Sequence, residues 1–234
     1  MFGYYGFYMD PTYILVLIGA IVCIAASTKM NSTFNKYSKI RSRSGMTGAE
    51  AAARILSSSG IHDVRIERVG GTLSDHYDPV KKVLRLSDST YGSSSVAALG
   101  VAAHECGHAV QHQKGYVPLK IRSFLVPAAN IGSKLGLPLI IIGVIFGLNS
   151  TLVQIGIWVF AIAVLFQIVT LPVEFNASSR ALVMLEDYGI TGGEETKQCR
   201  KVLSAAALTY VAGAASAILQ LLRLVLLFGN RRDD

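Results

Sequence analysis

Residues 135–173 run for thirty-nine positions without one Asp, Glu, Lys or Arg. A single helix crosses a hydrocarbon core of ~30 Å in about 20 residues, so this run reads as two membrane spans with a tight turn between them. Gly147-Leu148-Asn149-Ser150 supplies the turn residues. The helix before the turn is expected to begin near Pro127 and to let Lys134 snorkel. The helix after it is expected to run from Thr151 to Leu171 and to exit at Pro172. Residues 11–28 are also uncharged and, with Tyr8 and Met9, approach the length of one span. The twelve residues before Tyr13 hold no Lys or Arg, so the basic region of a signal peptide is missing and a retained anchor is expected. Residues 202–222 form a last uncharged run, rich in small residues such as Ala205, Ala206, Ala207, Ala212 and Ala214. Such residues suit close helix contact in lipid. Arg223 then interrupts the pattern, and an intramembrane arginine faces protein or water, or snorkels. Four spans are predicted, against the alternative of core helices in a soluble protein.

Composition agrees. Of 234 residues, 51% are hydrophobic and only 16% charged, against about 25% charged in ordinary soluble domains. Mean hydropathy is +0.44. This argues against a freely soluble globule and against disorder. Cys23, Cys106 and Cys199 are too few and too scattered for a disulfide framework. The net charge of +7 resides entirely in residues 28–123, which hold fourteen basic and seven acidic residues. No nucleic-acid motif accompanies that charge, so no nucleic-acid partner is expected. Basic residues flanking apolar runs fit the positive-inside rule, which puts the N-terminus outside and the basic segment in the cytoplasm.

Residues 29–123 are long enough for a small domain. Thr47 and Glu50 form a capping-box pattern ahead of a helix that Gly60 ends. Residues 63–69 alternate as a strand, Gly70-Gly71 signals a turn, and residues 82–87 form a second strand after a turn at Asp78-Pro79. Ser93-Ser94-Ser95 caps a long helix that stops at Gly115. The expected organisation is an anchor (1–28), a cytoplasmic α+β region (29–123), a membrane hairpin (124–172), a cytoplasmic helix and loop (173–201) and a final span with its tail (202–234). The fold class is a mainly α membrane protein of about four transmembrane helices, with a small α+β domain between the first and second spans.

The helix ending at Gly115 carries His104-Glu105-Cys106-Gly107-His108, an H-E-x-x-H pattern. Histidines at i and i+4 share one helix face and can meet one Zn²⁺ at roughly 2.0–2.1 Å. Glu105 is then placed to act as general base on a metal-activated water. The alternative is two histidines and a glutamate with unrelated structural roles. A catalytic zinc needs a third protein ligand. Metzincins place a histidine six residues after the second motif histidine, but position 114 is Lys114, which excludes that class. His112 shares the helix face, but three histidines on one straight helix cannot wrap one ion. The remaining class takes a glutamate from a later helix, and Glu174, directly after the uncharged run, is the leading candidate. Its bland alternative is an interfacial residue favoured by a helix dipole. Cys106 lies on the wrong face and reads as small filler.

The segment His76–Ser87 (HYDPVKKVLRLS), the helix AAHECGHAVQH and the stretch LPVEFNASSRAL around Glu174 together resemble the YugP-like neutral zinc metallopeptidases of bacterial membranes. In outline they are also similar to HtpX-type membrane gluzincins. The resemblance covers nearly the whole chain. It implies a bacterial plasma-membrane peptidase with a gluzincin-like domain, Zn²⁺ on His104, His108 and Glu174, and Glu105 as base. Two positions depart from the pattern. Ser178 stands where the wider class carries Asp, and Asn176 where the nearer family is expected to carry Asp. Both bear on the hydrogen-bonded support of the ligands. A gluzincin also needs an electrophile for the oxyanion, and Arg180, His76 and Tyr77 are the candidates. The strand 82–87 could be the edge that receives an extended peptide.

The expected function is zinc-dependent endoproteolysis of unfolded or membrane-associated polypeptides at the cytoplasmic membrane face. The expected partners are a polypeptide substrate and the lipid bilayer, with a membrane-protein partner or homo-oligomer left open. Two alternatives stand. A site-2-type intramembrane protease needs H-E-x-x-H inside a span, but residues 89–103 are too polar to cross lipid. A non-catalytic zinc scaffold would usually close its ion with four protein ligands and has no use for Glu105.

Overall fold

The structure is a computed structural model that describes residues 10–146 and 150–229. Among the described residues, seven helices and three strands follow one another. They are α1 (Tyr13–Tyr37), α2 (Gly48–Ser58), β1 (Arg65–Val69), β2 (His76–Asp78), β3 (Val83–Ser87), α3 (Asp88–Tyr91), α4 (Val96–Gln113), α5 (Val117–Ile145), α6 (Ser150–Asp187) and α7 (Glu194–Phe228). Among the described residues, four helices are long and apolar enough to cross a membrane: α1, α5, Thr151–Asp187 of α6, and α7. Their apolar side chains point outward; Trp158 is 74% exposed and Ile145 73%. Water would penalise such a surface, and lipid does not.

The helix ends correct the expectation drawn from the prolines. α5 begins at Val117 rather than near Pro127, and it carries Pro127 and Pro138 internally. α6 does not exit at Pro172 but continues to Asp187. Proline removes one backbone donor, which ends most helices in water. In membrane helices neighbouring groups re-satisfy the freed carbonyl, and the helix runs on. The turn expected at Gly147–Ser150 lies mostly outside the described residues, as do Tyr8 and Met9.

The chain divides into two compact units, and each long apolar helix contributes to both. One unit comprises the described parts of 1–25, 125–168 and 212–234. Within it α5 and α6 approach closely: a Cβ on Gly132 would lie 2.5 Å from the Val159 carbonyl oxygen. The Cys23 thiol of α1 contacts the Ala212 carbonyl of α7 at 3.5 Å, as small residues in this part of α7 allow. Arg223 is held by Asp10 at 3.4 Å and lies over the Tyr13 ring at 5.2 Å. The intramembrane arginine therefore faces protein.

The other unit comprises 26–124 and 169–211. Its three strands are ordered β1-β3-β2, with β1 parallel to β3 and β2 antiparallel to it. β3 is thus the central strand, and the expectation that 82–87 forms a free edge does not hold. The edges are β1 and β2, and the three residues of β2 are too few to leave an alternation signal. The Asp78 carboxylate accepts from the backbone N–H groups of Val80 and Lys81 at 3.0 Å each, closing the turn back to β3. The capping box on α2 is present, with Thr47 and Glu50 satisfying each other's backbone N–H groups.

Helix α4 is the hub of this unit. Ser95 caps it by accepting from the Ala98 N–H, and Gly115 follows its end in a left-handed conformation at φ +62°. Fourteen of its eighteen residues are buried, which explains why its apolar positions show no single stripe. It packs against Ile55 and Leu56 of α2, Leu84 and Leu86 of β3, Leu185 of α6, and Cys199 and Leu203 of α7. The approach of α6 is the tightest: a Cβ on Gly107 would sit 2.6 Å from the Ala177 carbonyl oxygen and 3.1 Å from two further Ala177 backbone atoms. Only glycine at this position lets the two helix backbones touch.

The contact generates a prediction. Gly107→Ala drives a methyl into a backbone that cannot yield like a side chain, and destabilises the protein by about 2 kcal/mol. Gly213→Ala, with no neighbour within 4 Å, is the control. Thermal unfolding of the purified chain should show a lower midpoint for the first variant alone.

Candidate active site

His104 and His108 stand one turn apart on α4, and their rings meet edge to face with centroids 4.8 Å apart. Glu174 comes from α6, 3% exposed, brought in by the helix crossing at Gly107. Its Oε2 lies 3.2 Å from His104 Nε2 and 3.6 Å from His108 Nε2. Among the described residues these three form the one group of His, Cys, Asp or Glu whose ligating atoms cluster, all within 4.8 Å of one another. Two donor atoms on a tetrahedral ion, each at about 2.0–2.1 Å, are roughly 3.4 Å apart. The spacing and the nitrogen–oxygen donor set therefore fit zinc.

The hydrogen bonds behind the cluster sharpen the fit. Gln111 is fully buried. Its amide nitrogen donates to the Val173 carbonyl at 2.8 Å and to Asn176 Oδ1 at 3.0 Å. Its oxygen is then left to accept from His108 Nδ1 at 3.1 Å. His108 thus carries a hydrogen on Nδ1, and its Nε2 lone pair faces a carboxylate oxygen. Two acceptors in contact need a cation or a proton between them. Burial disfavours a charged His108, but the hydrogen bond to Glu174 and the charges of Glu105 and Glu174 outweigh it and hold the imidazole above its ordinary pKa. The same field that draws a proton serves a metal ion. His104 is supported in parallel, with Nδ1 and Ser178 Oγ hydrogen-bonded at 3.1 Å.

A cleft of about 150 Å³ opens on the cluster, lined by Glu105, His108 and Glu174 with His76 and Tyr77 of β2, Arg122 of α5 and Tyr210 of α7. Glu105 is 8% exposed, and among the described residues no hydrogen-bond donor engages its carboxylate. Arg122 places Nη2 4.0 Å from Glu174 Oε1. The Tyr210 phenol faces the Glu174 carboxylate. The Tyr77 hydroxyl and His112 Nδ1 are hydrogen-bonded at 2.9 Å; burial, then the Asp63 and Asp78 carboxylates, push the phenol's pKa up to about 12. His112 is thereby tied to Tyr77 and stands outside the three-residue cluster. His76 Nδ1 is bonded to the Ser74 carbonyl at 2.9 Å. Arg180 is not brought to this cleft. It lines a separate cavity with Ser58, Lys114 and Asp187, and its Nε donates to Asn176 Oδ1 at 2.8 Å. Cys106 is fully buried, with its thiol 3.8 Å from the Ala52 carbonyl. Burial, then the Glu105 charge, push that thiol far above its usual range, which suits a filler.

Sequence reasoning did not single out Gln111, Arg122 or Tyr210. Gln111 sits three residues after His108 on the same face, a spacing that could have flagged it. Arg122 is one of fourteen basic residues in 28–123 with nothing to distinguish it, and Tyr210 lies inside an uncharged run with nothing to mark it.

Comparison with known proteins agrees with this geometry. The family model described as "Putative neutral zinc metallopeptidase" matches residues 12–229. The chain is 48% identical over 209 residues to the "Putative membrane protease YugP" of Bacillus subtilis (strain 168), a match spanning 89% of this chain and 92% of that protein. No solved structure matches. A match of this extent, on a chain whose H-E-x-x-H helix meets a buried glutamate from α6, makes the protein a member of the neutral zinc metallopeptidase family and a multi-pass membrane hydrolase.

Proposed function

We propose that the protein is an endopeptidase that cuts unfolded or membrane-associated polypeptides at the cytoplasmic face, with His104, His108 and Glu174 as zinc ligands and Glu105 as general base. The observation that carries the reading is the unengaged Glu105 carboxylate beside a cluster of three converging donor atoms. Zinc bound there would supply Lewis acidity, polarising a peptide carbonyl and making water acidic at neutral pH. Glu105 takes a proton from the attacking water and delivers it to the leaving amide nitrogen. The His104 and His108 Nδ1–H groups donate to Ser178 and Gln111, which keeps both Nε2 lone pairs on the ligand side. Tyr210 donates to the carbonyl oxygen as it gains charge, and Arg122 steadies the second oxygen of Glu174. The unpaired edge of β2 receives the substrate as an added strand, with His76 and Tyr77 flanking it. Arg180 acts at a distance, through Asn176 and Gln111.

Two features favour this over the alternatives. The helix that carries H-E-x-x-H is not among the four long apolar helices, which disfavours a site-2-type protease. A structural zinc site gives no role to a buried carboxylate on an open cleft. The basic residues that follow α1's apolar stretch support a cytoplasmic catalytic unit and an external N-terminus. The domain divisions at 28, 123, 172 and 201 remain part of this reading.

Three outcomes test it. Glu105→Gln should keep about one zinc per chain, measured by metal analysis, while casein cleavage falls about 10²–10⁴-fold; equal cleavage by the variant removes the assignment. Ser178→Ala should weaken zinc about 10–100-fold in chelator competition, and Ser178→Thr should restore it. Reporter fusions after residues 60 and 190 should both respond as cytoplasmic; either facing outward reverses the topology.

A further inference from the structure

The catalytic unit also carries a groove apart from the cleft. It runs between α6 and α7, with a volume of about 460 Å³, within the ~300–1,000 Å³ range of ligand pockets. Phe175 of α6 and Leu208 and Val211 of α7 wall it, Ser204 lies along its length, and Arg200 stands at one end. Phe175 and Leu208 are each 48% exposed, so the trough is open and apolar. The α7 part of the groove lies in the uncharged run that begins at residue 202, and Arg200 and Lys201 are the last charges before it. That places a guanidinium at the polar end of the apolar run.

The neighbouring carboxylates do not claim this arginine. Glu194 pairs with Lys197 at 3.7 Å. Glu195 accepts from the Arg43 N–H at 2.7 Å and from Ser42 Oγ at 3.3 Å. Arg200 is exposed and makes no ion pair among the described residues. An unclaimed guanidinium binds phosphate oxygens in a two-pronged fashion, and the trough beside it offers an acyl chain a dry bed. We propose that the α6–α7 groove is a binding site for an anionic phospholipid, its acyl chain along Leu208 and Val211 and its phosphate on Arg200. The groove reaches Ser178, whose hydroxyl is hydrogen-bonded to His104. A seated lipid therefore packs against the support of a proposed metal ligand. The proposal does not depend on peptidase chemistry.

The test uses the full chain carrying Glu105→Gln, so that self-cleavage cannot interfere. The protein is equilibrated in mild detergent with equal amounts of phosphatidylglycerol and phosphatidylcholine of identical acyl chains, and retained lipid is counted by native mass spectrometry. Phosphatidylglycerol should be retained about fivefold over phosphatidylcholine, the factor one basic side chain provides at a membrane surface. Arg200→Gln should abolish that preference and Lys134→Gln should leave it. Ser204→Trp, which fills the trough from an exposed position, should release both lipids. Equal retention by the unsubstituted groove, or a preference that survives Arg200→Gln, overturns the proposal. So does undiminished retention in Ser204→Trp. An apolar helical peptide that binds regardless of Arg200 but is blocked by Ser204→Trp would assign the groove to a protein segment instead.

Discussion

Three electron-pair donors pointed at one another inside a protein repel unless a positive charge sits among them. That constraint organises the catalytic unit. Glu174 is almost fully buried, and an uncompensated carboxylate at such depth costs several kcal/mol. Its oxygen nevertheless faces two imidazole nitrogens, one of which is fixed as an acceptor by Gln111. The fold tolerates this only with a proton or a cation in place, and the spacing matches a tetrahedral ion. The stability of the unit and its affinity for metal are therefore one quantity seen from two sides.

What brings the donors together is a backbone contact. α4 supplies both histidines, α6 supplies the glutamate, and the helices touch where Gly107 meets Ala177. Gly107 lies inside the H-E-x-x-H pattern itself, between Cys106, which fills the core on one side, and His108, which faces the ligands. The variable positions of the motif are thus not free in this chain: one must be small and apolar, the other must lack a side chain. The unbroken course of α6 through Pro172 matters as much. A helix ending there would have left Glu174 on a loop, with no rigid element to hold it against α4.

Much of this was legible in the sequence. The capping box at Thr47, the serine cap of α4 and the charge-free runs each record a local rule, and the helices obey them. The histidine pair follows from the helical period alone. Glu174 was reachable by elimination and by its place after the uncharged run. The failures were of another kind. In water a proline's lost backbone donor ends a helix, but α5 and α6 run on through Pro127, Pro138 and Pro172 within apolar spans. β2 is three residues long and owes its pairing to β3 rather than to its own pattern. Arg180 is near Glu174 in sequence but points to Asn176, because residues six apart on a helix lie on different faces. Tyr210 enters the cleft from a helix some thirty-five residues away, a juxtaposition that only tertiary packing creates.

The two departures from the family pattern acquire a meaning in the structure. Ser178 and Asn176 stand where carboxylates were expected, and both are engaged: Ser178 with His104, Asn176 with Gln111 and Arg180. The ligand support is thus made of hydroxyl and amide groups. A carboxylate behind an imidazole raises the basicity of the ligand and adds negative charge to the site. This site already holds Glu105 and Glu174, with Arg122 against the latter. Neutral partners fix the imidazole orientation without adding a third buried charge, whose desolvation would have to be met again by a cation. On the proposed zinc they would also withdraw less positive charge from the cleft. With Ser178 and Asn176 at these positions, hydroxyl and amide groups set the geometry behind the histidines, and the charge rests with Glu174 and Arg122.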